Sequence, residues 1–148
     1  MSFLSDIKAF SEKALKAAST NTTNITQDAF LAAVDYSPSP SNPGPYAKGL
    51  LVNQYYVAIG NTPSSEVSSS TSDTGEASKA RIKLLAASLP FMGKDNIVTL
   101  ANNTEESYYA DKLGWKPGSG TNGWTWTNNT PPYFMTAKAM SFIESKYK

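Results

Sequence analysis

Asp95-Asn96-Ile97-Val98-Thr99-Leu100-Ala101-Asn102-Asn103-Thr104-Glu105-Glu106-Ser107-Tyr108-Tyr109-Ala110-Asp111-Lys112-Leu113 joins a short apolar strand, Ile97 to Leu100, to an Asn-rich turn and an aromatic helical turn. The stretch reads as architecture. Adjacent acids placed directly after an Asn turn suit the first turn of a helix, where they complement the helix dipole. Working upstream, Asp73 with Glu76 three residues later predicts a capped helix whose inner stripe is Ala77, Ala80, Leu84 and Ala87, widened by Leu85 and Leu89 and stopped by Pro90. Lys79, Arg81 and Lys83 line its outer part, and such a run is read as a solvated helix face in preference to a DNA-facing stripe.

Further upstream, Gly49 to Gly60 is aromatic and β-branched, with Tyr55, Val57 and Ile59 alternating against Gln54, Tyr56 and Ala58. That alternation predicts a strand with one buried face. Between it and the helix lies the polar, Ser-rich segment 61 to 75, expected to be a flexible loop. Before it, residues 37 to 49 hold four prolines and two glycines, which excludes helix interior and central strand and predicts another loop.

At the start of the chain Phe3, Leu4, Ile7, Phe10, Ala14, Leu15 and Ala18 recur at spacings of three and four, the pattern of a helix burying one stripe. The cluster from Ser19 to Asn24 interrupts it, and Ile25, Ala29, Phe30, Ala33 and Val34 resume the period. This is either a second helix, capped by Asn24 with Gln27, or a continuation of the first. Downstream of Leu113, Trp115, Trp124 and Trp126 stand among Pro117, Gly118, Gly120 and Gly123, suggesting a hairpin or a long excursion over 115 to 129. Thr130 with Pro131 or Pro132 then opens a last helix carrying Met135, Ala139, Met140, Phe142, Ile143 and Tyr147 at helical spacing. The fold class expected is α+β: a small antiparallel or mixed sheet packed by an N-terminal, a middle and a C-terminal helix, in one domain spanning 1 to 148.

Composition narrows the function. The chain has 148 residues, 40% hydrophobic, enough for one core. A net charge of +1, with Arg81 the lone arginine among thirteen cations, argues against sequence-selective nucleic-acid recognition, where arginine dominates. The absence of Cys and His removes thiol chemistry, imidazole general bases and the usual zinc or haem ligand sets. No enzyme activity, cofactor or metal is expected. Residues 1 to 20 carry Asp6, Lys8, Glu12 and Lys13 and so lack the apolar core of a signal peptide, and no run approaches a membrane span.

Two stretches resemble a known family. The order of strand, Asn102-Asn103, Tyr109-Ala110 and Leu113 is similar to the signature of the small neck proteins that complete the head-to-tail connection of long-tailed bacteriophages, with Gly114-Trp115 standing where that family usually continues Glu-x-Gly. The approach through Pro38, Pro40, Pro43 and Pro45 to Gly49, then Asn53 and a strand ending in Gly60, resembles the same family's upstream pattern. Here Gln54 replaces the usual aromatic after the Asn, and Ala47-Lys48-Gly49 replaces Thr-Gly-Arg. The resemblance covers most of 1 to 113. It implies a virion protein of the neck that assembles with itself into a ring, six copies first and twelve second. Its neighbours would be the adaptor or portal side of the head and the tail terminator, with DNA passing through the channel unread and no membrane involved. The contact residues expected on this reading are Pro43, Tyr46, Asn53, Asn102, Asn103, Tyr109, Trp115, Trp124 and Trp126.

Other constellations are weaker. Glu105, Glu106 and Asp111 near tryptophans are the natural glycosidase candidates, but the helix-terminus reading accounts for the adjacent pair. Asp73-Thr74-Gly75 has neither a second copy nor the preceding apolar strand of an aspartic protease. Gly118-Ser119-Gly120 opens no helix after a strand, so no phosphate cradle is indicated. The tryptophans with Tyr108 and Tyr109 suit either cross-strand packing and interface anchoring or stacking on sugars, and the second keeps a carbohydrate- or cell-wall-binding module as the alternative.

Overall fold

The computed structural model describes residues 3–39, 50–59, 72, 74–88, 98–114, 116 and 131–148. In chain order these form helix α1 (Phe3–Asp35), a helical turn α2 (Leu50–Asn53), strand β1 (Tyr55–Ile59), helix α3 (Glu76–Ser88), strand β2 (Val98–Asn102), a turn α4 (Glu105–Tyr108) running into a wider π turn (Tyr109–Leu113), and helix α5 (Met135–Lys146). The fold is α+β, with the two strands pairing antiparallel from Tyr55 opposite Asn102 to Ile59 opposite Val98.

α1 is one helix of 33 residues, about 50 Å long at 1.5 Å per residue. The Ser19 to Asn24 cluster continues it because its hydroxyls fold back onto the helix: Thr20 Oγ1 donates to Lys16 O at 3.0 Å and Thr22 Oγ1 to Ala18 O at 2.9 Å. Only its second half behaves as expected. Ala32, Ala33 and Val34 are buried, whereas the stripe of the first half, Ile7, Phe10 and Leu15, is exposed.

β1 is half the length of the expected strand, because Leu50 to Asn53 coil into a turn before it. Asn53 explains the turn. Its Nδ2 donates to Ser72 O at 2.9 Å and its Oδ1 accepts from Ser72 Oγ at 3.0 Å and from the Ala77 N–H at 3.2 Å. The cap of α3 therefore comes from Asn53, together with Ser72 Oγ, which accepts the Glu76 N–H at 3.3 Å; Asp73, the expected cap, lies outside the described residues. Gly75 precedes the helix at φ +73°, where a Cβ would sit 2.7 Å from Val34 Cγ1 and 2.8 Å from Val52 Cγ2. Only glycine combines that backbone with that closeness.

The buried face of α3 also differs from the expected one. Ser78 and Ile82 are buried, while Leu84, placed on the inner stripe by its hydropathy, is 75% exposed. Ser78 turns inward because its hydroxyl accepts the Tyr55 N–H at 2.9 Å, satisfying a strand donor that β2 does not reach. Arg81 completes this seam: its Nε donates to Tyr55 O at 3.0 Å and Nη2 to Asn53 O. Lys79 pairs with Asp35 at 2.6 Å, so of the basic trio Lys83 is the member left to the exposed face.

The core gathers Val34, Leu51, Val52, Tyr55, Ile82, Ala110 and Met135. Tyr55 sits at its centre, its hydroxyl bonded to Ser37 Oγ at 2.9 Å and to Met135 Sδ at 3.6 Å, and burial pushes the phenol up to about 12. α5 runs back along α1, with Ala139 against Ala32 and Ala33 at one end and Lys146 Nζ on Asp28 at 2.6 Å at the other. It begins later than expected. Pro131 and Pro132 lie outside the helix, and Phe134 at φ 53° precedes the first turn. Met135 and Ala139 are buried, but Met140 is exposed and Phe142 and Tyr147 only half covered. Of the three loops expected near 37 to 48, 61 to 75 and 115 to 129, residues 37–39, 72, 74–75 and 116 are described; Ser37, Pro38 and Ser39 are buried. Among the described residues no helix is long and apolar enough to cross a membrane.

Candidate functional site

The end of β2 carries Asn102 and Asn103, and both side chains work inside the fold. Asn102 Nδ2 donates to Leu51 O at 2.8 Å, while its Oδ1 accepts from the Thr104 N–H at 3.1 Å and the Thr104 hydroxyl at 2.8 Å. One side chain thus ties the strand end to α2 and caps the following turn. Asn103 Oδ1 accepts the Tyr56 hydroxyl at 3.2 Å. Ser107 Oγ reaches back to Thr104 O at 2.7 Å and Asn102 O at 3.1 Å, closing the corner.

The aromatic turn after the corner is a π turn, a form met mostly as single turns and often at functional sites. It closes with the Gly114 N–H on Tyr109 O at 2.7 Å, and Gly114 itself lies at φ 66°. Ala110 is fully buried and its carbonyl accepts the Tyr133 N–H at 2.7 Å, anchoring the approach to α5. Tyr109 packs against the core and meets Tyr108 edge to face at 6.4 Å, leaving Tyr108 as the exposed ring.

Asp111 is the cap of α5. Its Oδ1 accepts the Thr136 N–H and its Oδ2 the Thr136 hydroxyl, both at 2.8 Å, with Lys112 Nζ 3.1 Å from Oδ2. Burial pushes this carboxyl up, yet the bonds from Thr136 and Lys112 outweigh it and hold the group below the usual carboxylate range. Both oxygens are engaged in holding two elements together.

Of the contact residues expected from the sequence, Asn53 is wholly buried and is an internal latch, so it is not available to a partner in this fold. Asn102, Asn103 and Tyr109 are half-buried. Pro43, Tyr46, Trp115, Trp124 and Trp126 lie outside the described residues. Sequence reasoning missed two surfaces. One is the exposed first half of α1. The other is an open groove of about 520 Å³ between the second half of α1, β2, the π turn and α5, with Phe30, Val98, Leu100, Tyr108, Met135 and Met140 on its walls. The helical period found both apolar stripes; what it lacked was knowledge of which stretches the rest of the chain covers. Among the described residues no group of three or more acidic side chains could hold a metal ion. Comparison with protein-family models, with curated proteins and with solved structures finds no match to this chain.

Proposed function

We propose that this chain is a structural protein of a phage virion, a component of the neck that joins the head to the tail and completes the tail by assembling as a ring. One observation carries the proposal. The two stretches that resemble the neck family, around Asn53 and around Asn102-Asn103, meet in space: Asn102 bonds Leu51 O, and the Tyr56 hydroxyl bonds Asn103. Two sequence signatures some fifty residues apart that form one interlocked corner are what a shared architecture requires. On this reading the corner residues are scaffold, and the contacts are made by the surfaces the scaffold presents.

The function is assembly. A channel protein must let DNA pass without holding it, which suits a chain of net charge +1 whose lone arginine is turned onto its own backbone. The test is location and stoichiometry in purified virions, by quantitative mass spectrometry and antibody-labelled electron microscopy. Six or twelve copies at the head-to-tail junction are expected. Absence from virions, or a distribution over the capsid or tail shaft, would overturn the proposal, and selective binding to a glycan array would favour the carbohydrate-binding alternative.

A further inference from the structure

Nine of the twelve residues of α5 are exposed and only Met135 and Ala139 are buried, so its hold on the rest of the chain rests on few side chains. Those ties gather at its two ends. At the N-terminal end Met135 enters the core beside the Tyr55 hydroxyl, Thr136 is held by both oxygens of Asp111, and just before the helix the Tyr133 N–H is bonded to Ala110 O. At the far end Lys146 Nζ and the Tyr147 hydroxyl both donate to Asp28 Oδ2 on α1. Between the two, Ala139 lies against Ala32 and Ala33, and Ile143 is half-buried.

The two ends are unequal. The first combines a buried thioether, a backbone bond and a carboxylate whose side chain is only 12% exposed. The second is a surface cluster in which the side chain of Asp28 is 24% exposed and that of Lys146 47%, and an ion pair so placed holds weakly against solvent and salt. The alanine contact between them adds little, because methyl on methyl buries little apolar area. The backbone also bends into the helix at the anchored end, through Phe134 at φ 53°, and element-terminal residues of this kind are where hinges form. A helix of twelve residues deprived of its packing is too short to persist in water, so leaving α1 and melting are one event.

We propose that α5 is a hinged strap, anchored at Met135 and Thr136 and latched at Asp28, whose residues 139–146 leave α1 and unravel while the sheet, α3 and the second half of α1 stay folded. Opening removes the wall that Ala139 and Met140 give the groove and uncovers Ala32 and Ala33. The strap follows from the distribution of contacts along α5 and does not depend on the neck reading.

Native-state amide hydrogen exchange on the full chain, without urea and in low urea, tests it. Residues 139–146 should share one level of protection, about tenfold or more below that of Tyr55–Ile59 and Val98–Asn102. Low urea should change that level little, because the opening exposes little surface. Asp28→Ala, which keeps a good helix former in α1, should lower the protection of the whole 139–146 block about threefold. Arg81→Lys loosens the seam between α3 and β1, which strap opening leaves intact, so it should lower the protection of Tyr55–Ile59 and leave 139–146 unchanged. A gradient of protection falling toward Lys146 is end fraying and overturns the inference, as does protection of 139–146 equal to that of the sheet. If Arg81→Lys shifts both sets together, α5 opens only with the whole fold; if Asp28→Ala leaves 139–146 unchanged, Asp28 is no latch. Either result sinks the strap.

Discussion

Replacing Asp111 tests whether the motif turn and the last helix are one mechanical unit. Its carboxylate accepts two bonds from Thr136 at 2.8 Å, on a side chain only 12% exposed, so solvent screens them little. Loss of a helix cap costs about 1 kcal/mol, and a bond to a charged group about 1.5 to 3 kcal/mol. The Lys112 pair adds little because the ammonium is half exposed. Asp111→Ala removes both acceptors and should destabilise by about 2 to 3 kcal/mol, a fall in Tm of about 4 to 12 °C for a chain of this size. Asp111→Asn keeps one acceptor and should lose about half as much. The folded carboxyl is held below its ordinary value, so its contribution is complete above the unfolded pKa and is lost as pH falls through the folded one. The gap between wild type and Asp111→Asn should thus be constant above the ordinary carboxylate range and close as pH falls below it. Thermal unfolding across that range, with Thr136→Val as the partner in a double-mutant cycle, measures it. A Tm within about 1 °C of wild type for Asp111→Ala, or a gap that widens in acid, would refute the reasoning.

Three further outcomes follow from the seam around Tyr55. Arg81→Lys should cost about 1 to 2 kcal/mol in urea unfolding, because an ammonium cannot donate to Tyr55 O and Asn53 O in the fixed fork geometry of a guanidinium. Gly75→Ala should cost about 2 to 4 kcal/mol, combining a positive φ with a Cβ pressed against Val34 and Val52; a neutral effect would mean that the turn relaxes freely. Tyr55 has its pKa raised to about 12, so its contribution is complete below the ordinary value near 10 and is lost as pH climbs through about 12. Tyr55→Phe should flatten alkaline unfolding in that window while costing about 1 kcal/mol at neutral pH.

The residues explain which parts of this fold could be read from the chain. Strands, helices and the Asn-Asn corner are local, and local spacing reveals them. The Ser19 to Asn24 stretch reads as a break because its residue types favour caps, but hydroxyls that bond back four residues leave a helix intact. The inner face of α3 was misplaced because hydropathy ranks Leu84 above Ser78, whereas a strand N–H in need of an acceptor decides the matter. The cap of α5 lies 25 residues upstream at Asp111, and that of α3 lies 24 residues upstream of Ala77 at Asn53. Caps that arrive through tertiary contact leave no mark in a four-residue window. The turn at Asn102 and Asn103 was legible because turn chemistry is local. That Asn53 serves as an internal latch depends on the position of Ser72 and α3, which spacing does not encode.

The central claim is that this chain joins heads to tails, and removing it from the assembling phage tests that most directly. The account predicts that particles made without it separate on a gradient into DNA-filled heads and finished tail shafts, unjoined, and that adding the purified chain restores joining. Joined, infectious particles made in its absence would contradict the account.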